Sequence, residues 1–278
     1  MKQNTLYLIF SIVAFSVSYF IATLTKLELV ENAILLAFLI HWVLFIPAYL
    51  LKTEKFFDLS GSITYISVIS YVLLFNTNTE IRIGSVLLAL FIIMWAIRLG
   101  SFLFFRIKKA GEDKRFREIK TSFFRFFMVW TISGMWVSLC SMCALTAISS
   151  ANGVHMNPLF YIGSIIFLFG FILEIVADNQ KTKFRKDPKN KDKFINTGLW
   201  ARSQHPNYVG EITLWGGIAI ISCSSLVGWQ YISLISPVFT YILLVYISGV
   251  PQLKESGQKK WGHLDSYKEY LKNTPTLI

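Results

Sequence analysis

Eight almost uninterrupted apolar runs divide the chain, at 6–24, 33–51, 59–75, 83–105, 126–149, 158–177, 212–227 and 230–250. Most approach the roughly 20 residues that a helix needs to cross the hydrocarbon core of a bilayer. The runs at 59–75 and 212–227 are short, which leaves seven spans as the alternative to eight. The pattern therefore predicts an all-α, polytopic membrane helical bundle of about seven or eight transmembrane helices. The first run follows Lys2, is too long for a cleaved leader and has no small-residue cleavage site after it, so it reads as a retained anchor.

Composition agrees. Hydrophobic residues make up 54% of the chain and charged residues 15%, and mean hydropathy is +0.53, a balance with too little polar surface for a soluble domain. The net charge is +11, and its placement decides what it means. With the N-terminus and segments 52–58, 106–122, 178–204 and 251–278 on the cytoplasmic side, 23 of the 27 Lys and Arg residues lie there. That asymmetry predicts both termini inside and ties the basic charge to topology and anionic lipid, with no nucleic acid as partner. The expected location is a multi-pass membrane protein, of the endoplasmic reticulum if eukaryotic or the inner membrane if bacterial. No repeat or linker interrupts the chain, so residues 1–278 read as a single integral membrane domain. Cys140-x-x-Cys143 and Cys223 lie within apolar runs and read as small buried hydrophobes, with no metal site. No Gly-x-Gly-x-x-Gly after a strand, Walker sequence or His-Glu-x-x-His is present.

Charged groups inside spans mark function by default. Arg98 lies two turns before the basic loop that opens at Arg106; it either snorkels to the interface or faces inward to hold an anion. Glu174, Asp178, Lys181 and Arg185 fall at i, i+4, i+7 and i+11, one face of a continuing helix graded from acid at depth to base at the rim. Such a face suits a long ligand with phosphates outermost. Pro206 is placed to open the seventh span, which sets Arg202 and His205 beside a helix N-terminus that attracts anions. Down that helix Asn207, Glu211 and Trp215 recur every four residues as a polar-aromatic stripe. The polar, aromatic tail after residue 250 either lies at the interface or folds back over the basic loop to close a cofactor site.

Three motifs now stand in order: Gly-Glu-Asp-Lys-Arg-Phe at 111–116, Ala-Asp-Asn-Gln-Lys-Thr-Lys-Phe-Arg-Lys-Asp at 177–187, and Arg-Ser-Gln-His-Pro-Asn-Tyr-Val-Gly-Glu at 202–211 after Thr-Gly-Leu-Trp. Together they resemble the DUF1295 proteins, membrane relatives of the steroid 5-alpha-reductase C-terminal family. The resemblance runs from about residue 57 to the end, with 1–56 less specific. It implies a helical reductase that binds NADPH and reduces a carbon–carbon double bond conjugated to a carbonyl of a lipid or steroid-like substrate. By that resemblance Asp178 and Arg185 contact the adenosine end and its phosphates. Asn207, Tyr208 and Glu211 lie near the nicotinamide half, and Arg98 reaches the cofactor from the fourth span. The chain departs from the steroid enzymes in three places, one being their C-terminal-tail histidine, which has no clear match here, Glu255 lying nearest. Trp95 stands near the position of their tyrosine, and no Gln-Glu pair precedes it.

Hydride delivery to the β carbon of an enone builds enolate charge on the carbonyl oxygen, so a proton donor is needed there. Asp58, Tyr65, Tyr71 and Tyr208 are the candidates, with Asp58 also placed to cap the third helix. Two other readings stand beside this one. Isoprenylcysteine and phospholipid methyltransferases, which use S-adenosylmethionine, share a similar His-Pro-x-Tyr-x-Gly run (205–210) and a Tyr-x-x-Tyr tail (Tyr267, Tyr270). A non-catalytic lipid-binding protein of the same fold is the third.

Overall fold

The computed structural model describes residues 2–77 and 82–278, and these are helical throughout, with no strand among the described residues. Among the described residues, seven helical stretches are long and apolar enough to cross a membrane. Six are α1 (Lys2–Leu24), α2 (Glu28–Leu50), α3 (Phe57–Phe75), α4 (Ile83–Ala110), α6 (Phe123–Ser149) and α7 (Pro158–Lys186), with the one-turn α5 (Phe116–Ile119) between α4 and α6. The seventh, Gly228–Trp261, is a broken rod. It begins as a 3-10 turn, continues as α9 (Ile235–Ile242), widens into a π turn over Leu243–Ile247 and ends as α10 (Gly249–Trp261). α8 (Pro206–Cys223) has 18 residues, slightly short of a full span, and α11 (Asp265–Asn273) closes the chain.

Local chemistry sets the ends. Pro158 opens α7 behind Asn157, whose side-chain oxygen accepts the Phe160 N–H at 3.0 Å. Pro206 opens α8 as its sequence position predicts. Gly111, at φ +84°, stops α4 after Lys108 and Lys109. α3 starts two residues earlier than a cap at Asp58 requires. Phe56 occupies the N-cap position and makes no side-chain bond, so Asp58 sits inside the first turn as its acidic residue.

Two compact units divide the chain, 1–160 with 219–236, and 161–218 with 237–278. In the first, α2 packs on α6 and α3, α1 on α6, and α3 on α4. An aromatic cluster of Phe45, Phe116, Phe126 and Trp130, edged by Phe56, Phe57 and Phe127, fills one end. Buried Glu54 ties two loops there, accepting the Asp113 N–H at 2.9 Å and the Lys120 ammonium at 2.6 Å. At α6, the Ser236 hydroxyl accepts the Cys143 N–H and donates to the Leu139 carbonyl, entering the helical ladder between them. All three cysteines are free thiols, with Cys140 and Cys143 buried.

The second unit is built on the antiparallel pair α7 and α8, which meet backbone to backbone. A Cβ on Gly210 would stand 2.6 Å from the Glu174 nitrogen and 2.7 Å from the Gly170 carbonyl oxygen. One on Gly217 would stand 2.6 Å from the Gly163 oxygen and from the Phe167 nitrogen. Glycines seven residues apart on each helix thus remove the side chains that would hold the rods apart, as at close helix crossings in bilayers.

Candidate functional site

The α7–α8 contact fixes what stands beside what. Glu174 lies against Gly210, with Glu211 next in sequence, and both carboxylates are enclosed, at 2% and 7% exposure. One turn on, Asp178 is enclosed to the same degree, at the level of the first turn of α8. The rest of the α7 stripe follows as α7 runs unbroken to Lys186, carrying Lys181 and leaving Arg185 exposed at its end. Arg202 is exposed as well, just before α8.

The segment leading into α8 is locked to α7. Gly198 takes φ +62° because the Gln180 side chain lies where its Cβ would be, 2.7 Å from the amide oxygen. That oxygen accepts the Leu199 N–H at 2.9 Å, while the Trp200 indole N–H donates to the Ala177 carbonyl at 3.0 Å. Lys181 lies 4.2 Å over the Trp200 ring. Two of the sequence motifs, at 177–187 and around Thr-Gly-Leu-Trp, therefore act on each other. Gln180 and Trp200 were not singled out from the sequence, because their partners are main-chain groups some twenty residues away.

His205 and Asn207 flank Pro206 at the start of α8. The His205 N–H is held by the Ser203 hydroxyl oxygen at 3.1 Å, and its ring stacks on Tyr208 with centroids 5.3 Å apart. Tyr208 in turn fills the space where a side chain on Gly249 would be. Yet the His205 Nδ1 and the Asn207 Oδ1 are both buried without a hydrogen-bond partner. Burial, and then the charge of Lys181, push the His205 imidazole down to about 4, so it is neutral near pH 7. Trp215, completing the α8 stripe, is fully enclosed.

The remaining predicted residues belong to the first unit. Asp58 is half-buried in the first turn of α3. Tyr65 is buried, its ring edge-on to Trp95 at 5.1 Å. One turn beyond Trp95, half-buried Arg98 has its guanidinium 5.3 Å from the Phe102 ring. Tyr71 stacks near Phe75 on the same helix as Tyr65. The structure thus gathers Glu174, Asp178, His205, Asn207, Tyr208 and Glu211 in one unit, and Asp58, Tyr65 and Arg98 in the other.

The tail folds back within the second unit. Phe194 packs on Trp261, Tyr267 and Tyr270, and the Trp261 indole N–H donates to the Asp192 carbonyl at 2.6 Å. Of the two arrangements open for the tail in the sequence, it takes the one lying over the 187–205 segment.

A family profile described as "Protein of unknown function (DUF1295)" matches residues 42–274. The chain belongs to the DUF1295 family. The match begins inside α2, earlier than the motifs alone indicate. Among curated proteins, this DUF1295 chain is 34% identical over 115 residues to a protein named "Probable O-methyltransferase ustE" from Ustilaginoidea virens, covering 36% of this chain and 40% of that one. It is 28% identical over 122 residues to "3-oxo-5-alpha-steroid 4-dehydrogenase 1" from Bos taurus, covering 44% of this chain and 42% of the bovine enzyme. The chain thus spans about two fifths of the length of these relatives. No solved structure matches.

Proposed function

We propose that this DUF1295 protein is a membrane-bound, NADPH-dependent reductase of a carbon–carbon double bond in a lipid or steroid-like enone. The observation that carries the reading is the pair of orphaned buried atoms, His205 Nδ1 and Asn207 Oδ1, at the positive end of α8. Buried polar atoms are almost always partnered, so two neighbours without partners mark a place for a ligand. A nicotinamide dinucleotide suits them: its carboxamide and ribose hydroxyls donate where Asn207 accepts. Its phosphates suit Lys181, Arg185 and Arg202 at the rim, together with the α8 dipole. The steroid dehydrogenase similarity supports the same cofactor class.

When bound, NADPH supplies a hydride. The chain's own residues do the rest. Asp178 and Arg185 would hold the adenosine end, and Asn207, Tyr208 and Glu211 the nicotinamide half. Neutral His205 adds a polar contact without competing charge. A hydroxyl or carboxyl must stabilise and protonate the developing enolate oxygen, and Tyr208, Tyr65 and Asp58 are the groups proposed for it.

A second reading has its own support. The ustE similarity and three enclosed carboxylates, Glu174, Asp178 and Glu211, suit the sulfonium of S-adenosylmethionine and a methyl transfer. Thermal unfolding of the purified protein with NADPH, NADH and S-adenosylmethionine separates the two, since a ligand bound only by the folded state adds about 2.7 kcal/mol at a hundredfold excess over Kd. Stabilisation by NADPH that is lost in Arg185→Ala and Asn207→Ala supports the reductase. Stabilisation by S-adenosylmethionine alone sinks it.

A further inference from the structure

Gln204, one residue before the orphaned histidine, is bound three times to the tail. Its N–H donates to the Pro275 carbonyl at 2.9 Å, and its side-chain amide to the carbonyls of Thr274 at 2.6 Å and Leu271 at 3.2 Å. Nearby, the Tyr270 hydroxyl donates to the Trp200 carbonyl at 2.7 Å. These carbonyls lie at and just past the end of α11, where helical oxygens lose their internal donors and need others. Residues 198–205 are thus gripped from two directions, by Gln180 and Ala177 of α7 and by the tail.

We propose that residues 270–276 form a strap that fixes how His205 and Asn207 are presented to the nucleotide cofactor, with Gln204 as the positioning residue that fastens it. The inference rests on the reading of this site as a cofactor pocket. His205 Nδ1 and Asn207 Oδ1 have no hydrogen-bond partner, so beyond the stacking of His205 on Tyr208 their placement follows the backbone that enters α8 at 203–206. That backbone is anchored at Gln204. The helices themselves do not need the anchor, because the glycine contacts of α7 and α8 join them independently. Loosening the strap therefore costs binding before it costs folding, since small misplacements of positioned groups are expensive.

The test uses the full chain in detergent. Gln204→Glu removes the two side-chain donors and sets a carboxylate against two carbonyl oxygens, whereas Gln204→Arg keeps N–H donors for both. NADPH is titrated by tryptophan fluorescence, and amide hydrogen exchange across 198–207 is followed without ligand. Gln204→Glu is expected to raise the NADPH Kd about tenfold, as loss of one good interaction does. Its ligand-free unfolding midpoint is expected to stay within about 2 °C of wild type, with exchange at 198–207 faster. Gln204→Arg is expected to bind within about twofold of wild type. An unchanged Kd or unchanged exchange in Gln204→Glu overturns the proposal, as does an equal loss of affinity in Gln204→Arg. So does a fall in midpoint large enough to account for the weaker binding. Failure of the wild type to bind NADPH overturns the cofactor reading and the positioning role together. Faster exchange in Gln204→Glu would then still show the strap itself, which separates the two failures.

Discussion

Two histidines are buried in this protein, and they are treated in opposite ways. His41, on α2, is fully enclosed. Its Nδ1 lies 2.9 Å from the Ala37 carbonyl, and its Nε2 lies 3.1 Å from the Ser133 hydroxyl on α6. A neutral ring with one donor and one acceptor is satisfied there, with Thr64 of α3 closing the group at 3.4 Å. His205 is nearly as enclosed, yet its Nδ1 has no partner, and Asn207 Oδ1 nearby has none either. A closed polar network of the first kind specifies packing. An open one, such as that at His205 and Asn207, is where the proposed cofactor would supply the missing partners.

The largest effect falls on the scaffold that holds the open site. Gly210→Val would place a branched side chain against the Glu174 and Gly170 backbones, which cannot retreat as side chains do. It is expected to cost about 4 kcal/mol or more, in the range reserved for severe core disruption, and to appear as lost monodisperse protein. A Cβ at Gly216 meets nothing within 4 Å, so Gly216→Ala on the same helix is expected to stay within about 0.5 kcal/mol. Equal losses at the two glycines would remove the close α7–α8 contact from the argument.

Acid sharpens the contrast next. The folded pKa of His205, about 4, lies below its ordinary 6.5. Above pH 6.5 neither folded nor unfolded chain carries a proton there, so the full stability is present. As pH falls from 6.5 toward 4 the unfolded chain takes up the proton and the folded one resists, so stability is lost across that window, by roughly 3 kcal/mol. Unfolding midpoints measured between pH 7.5 and 4.5 should show this fall, and His205→Gln should make it shallower. A fall of the same size in His205→Gln would assign the acid sensitivity elsewhere.

Much of this was legible in the sequence, and the parts that were not share a cause. Apolar runs placed the spans, and Pro206 opens α8 as read. The four-residue stripes survived because α7 continues without a break to Lys186. The broken rod at Gly228–Trp261 was invisible, since 3-10 and π turns leave hydropathy unchanged. Asp58 was misplaced as a cap because helix starts are uncertain by a residue or two. Gln180 and Gln204 were missed because an amide that binds distant carbonyls has no local pattern. Gly163 and Gly170 facing Gly210 and Gly217 did carry a signal, the same seven-residue spacing in two neighbouring spans.

A pair of substitutions separates the two histidine environments by whether stability or affinity is lost. His41→Leu breaks the network and leaves Ser133 facing an apolar group, at a cost of about 2 kcal/mol in thermal unfolding. Asn207→Leu removes an acceptor that no protein group uses, so stability is expected to change by less than about 0.5 kcal/mol. NADPH affinity should nonetheless fall about tenfold or more. Loss of stability without loss of affinity at Asn207 would make it another His41.

The smallest effect lies in the strap, whose bonds are satisfied like those of His41 but near solvent. Tyr270→Phe keeps the ring against Phe194 and deletes only the hydroxyl bond to the Trp200 carbonyl. The expected cost is about 1 kcal/mol, typical of one hydrogen bond exchanged for water. Alkali gives it a signature. Burial, and then neighbouring Tyr267, push the Tyr270 phenol up to about 12 from its usual 10. Below pH 10 both states hold the proton and the stabilisation is complete; between 10 and 12 the unfolded chain releases it first, so stability falls as pH rises. Tyr270→Phe should therefore be slightly less stable than wild type at pH 8 and should lose less between pH 9.5 and 11. A parallel decline in both proteins would mean that the hydroxyl bond to Trp200 contributes nothing to the fold of the tail.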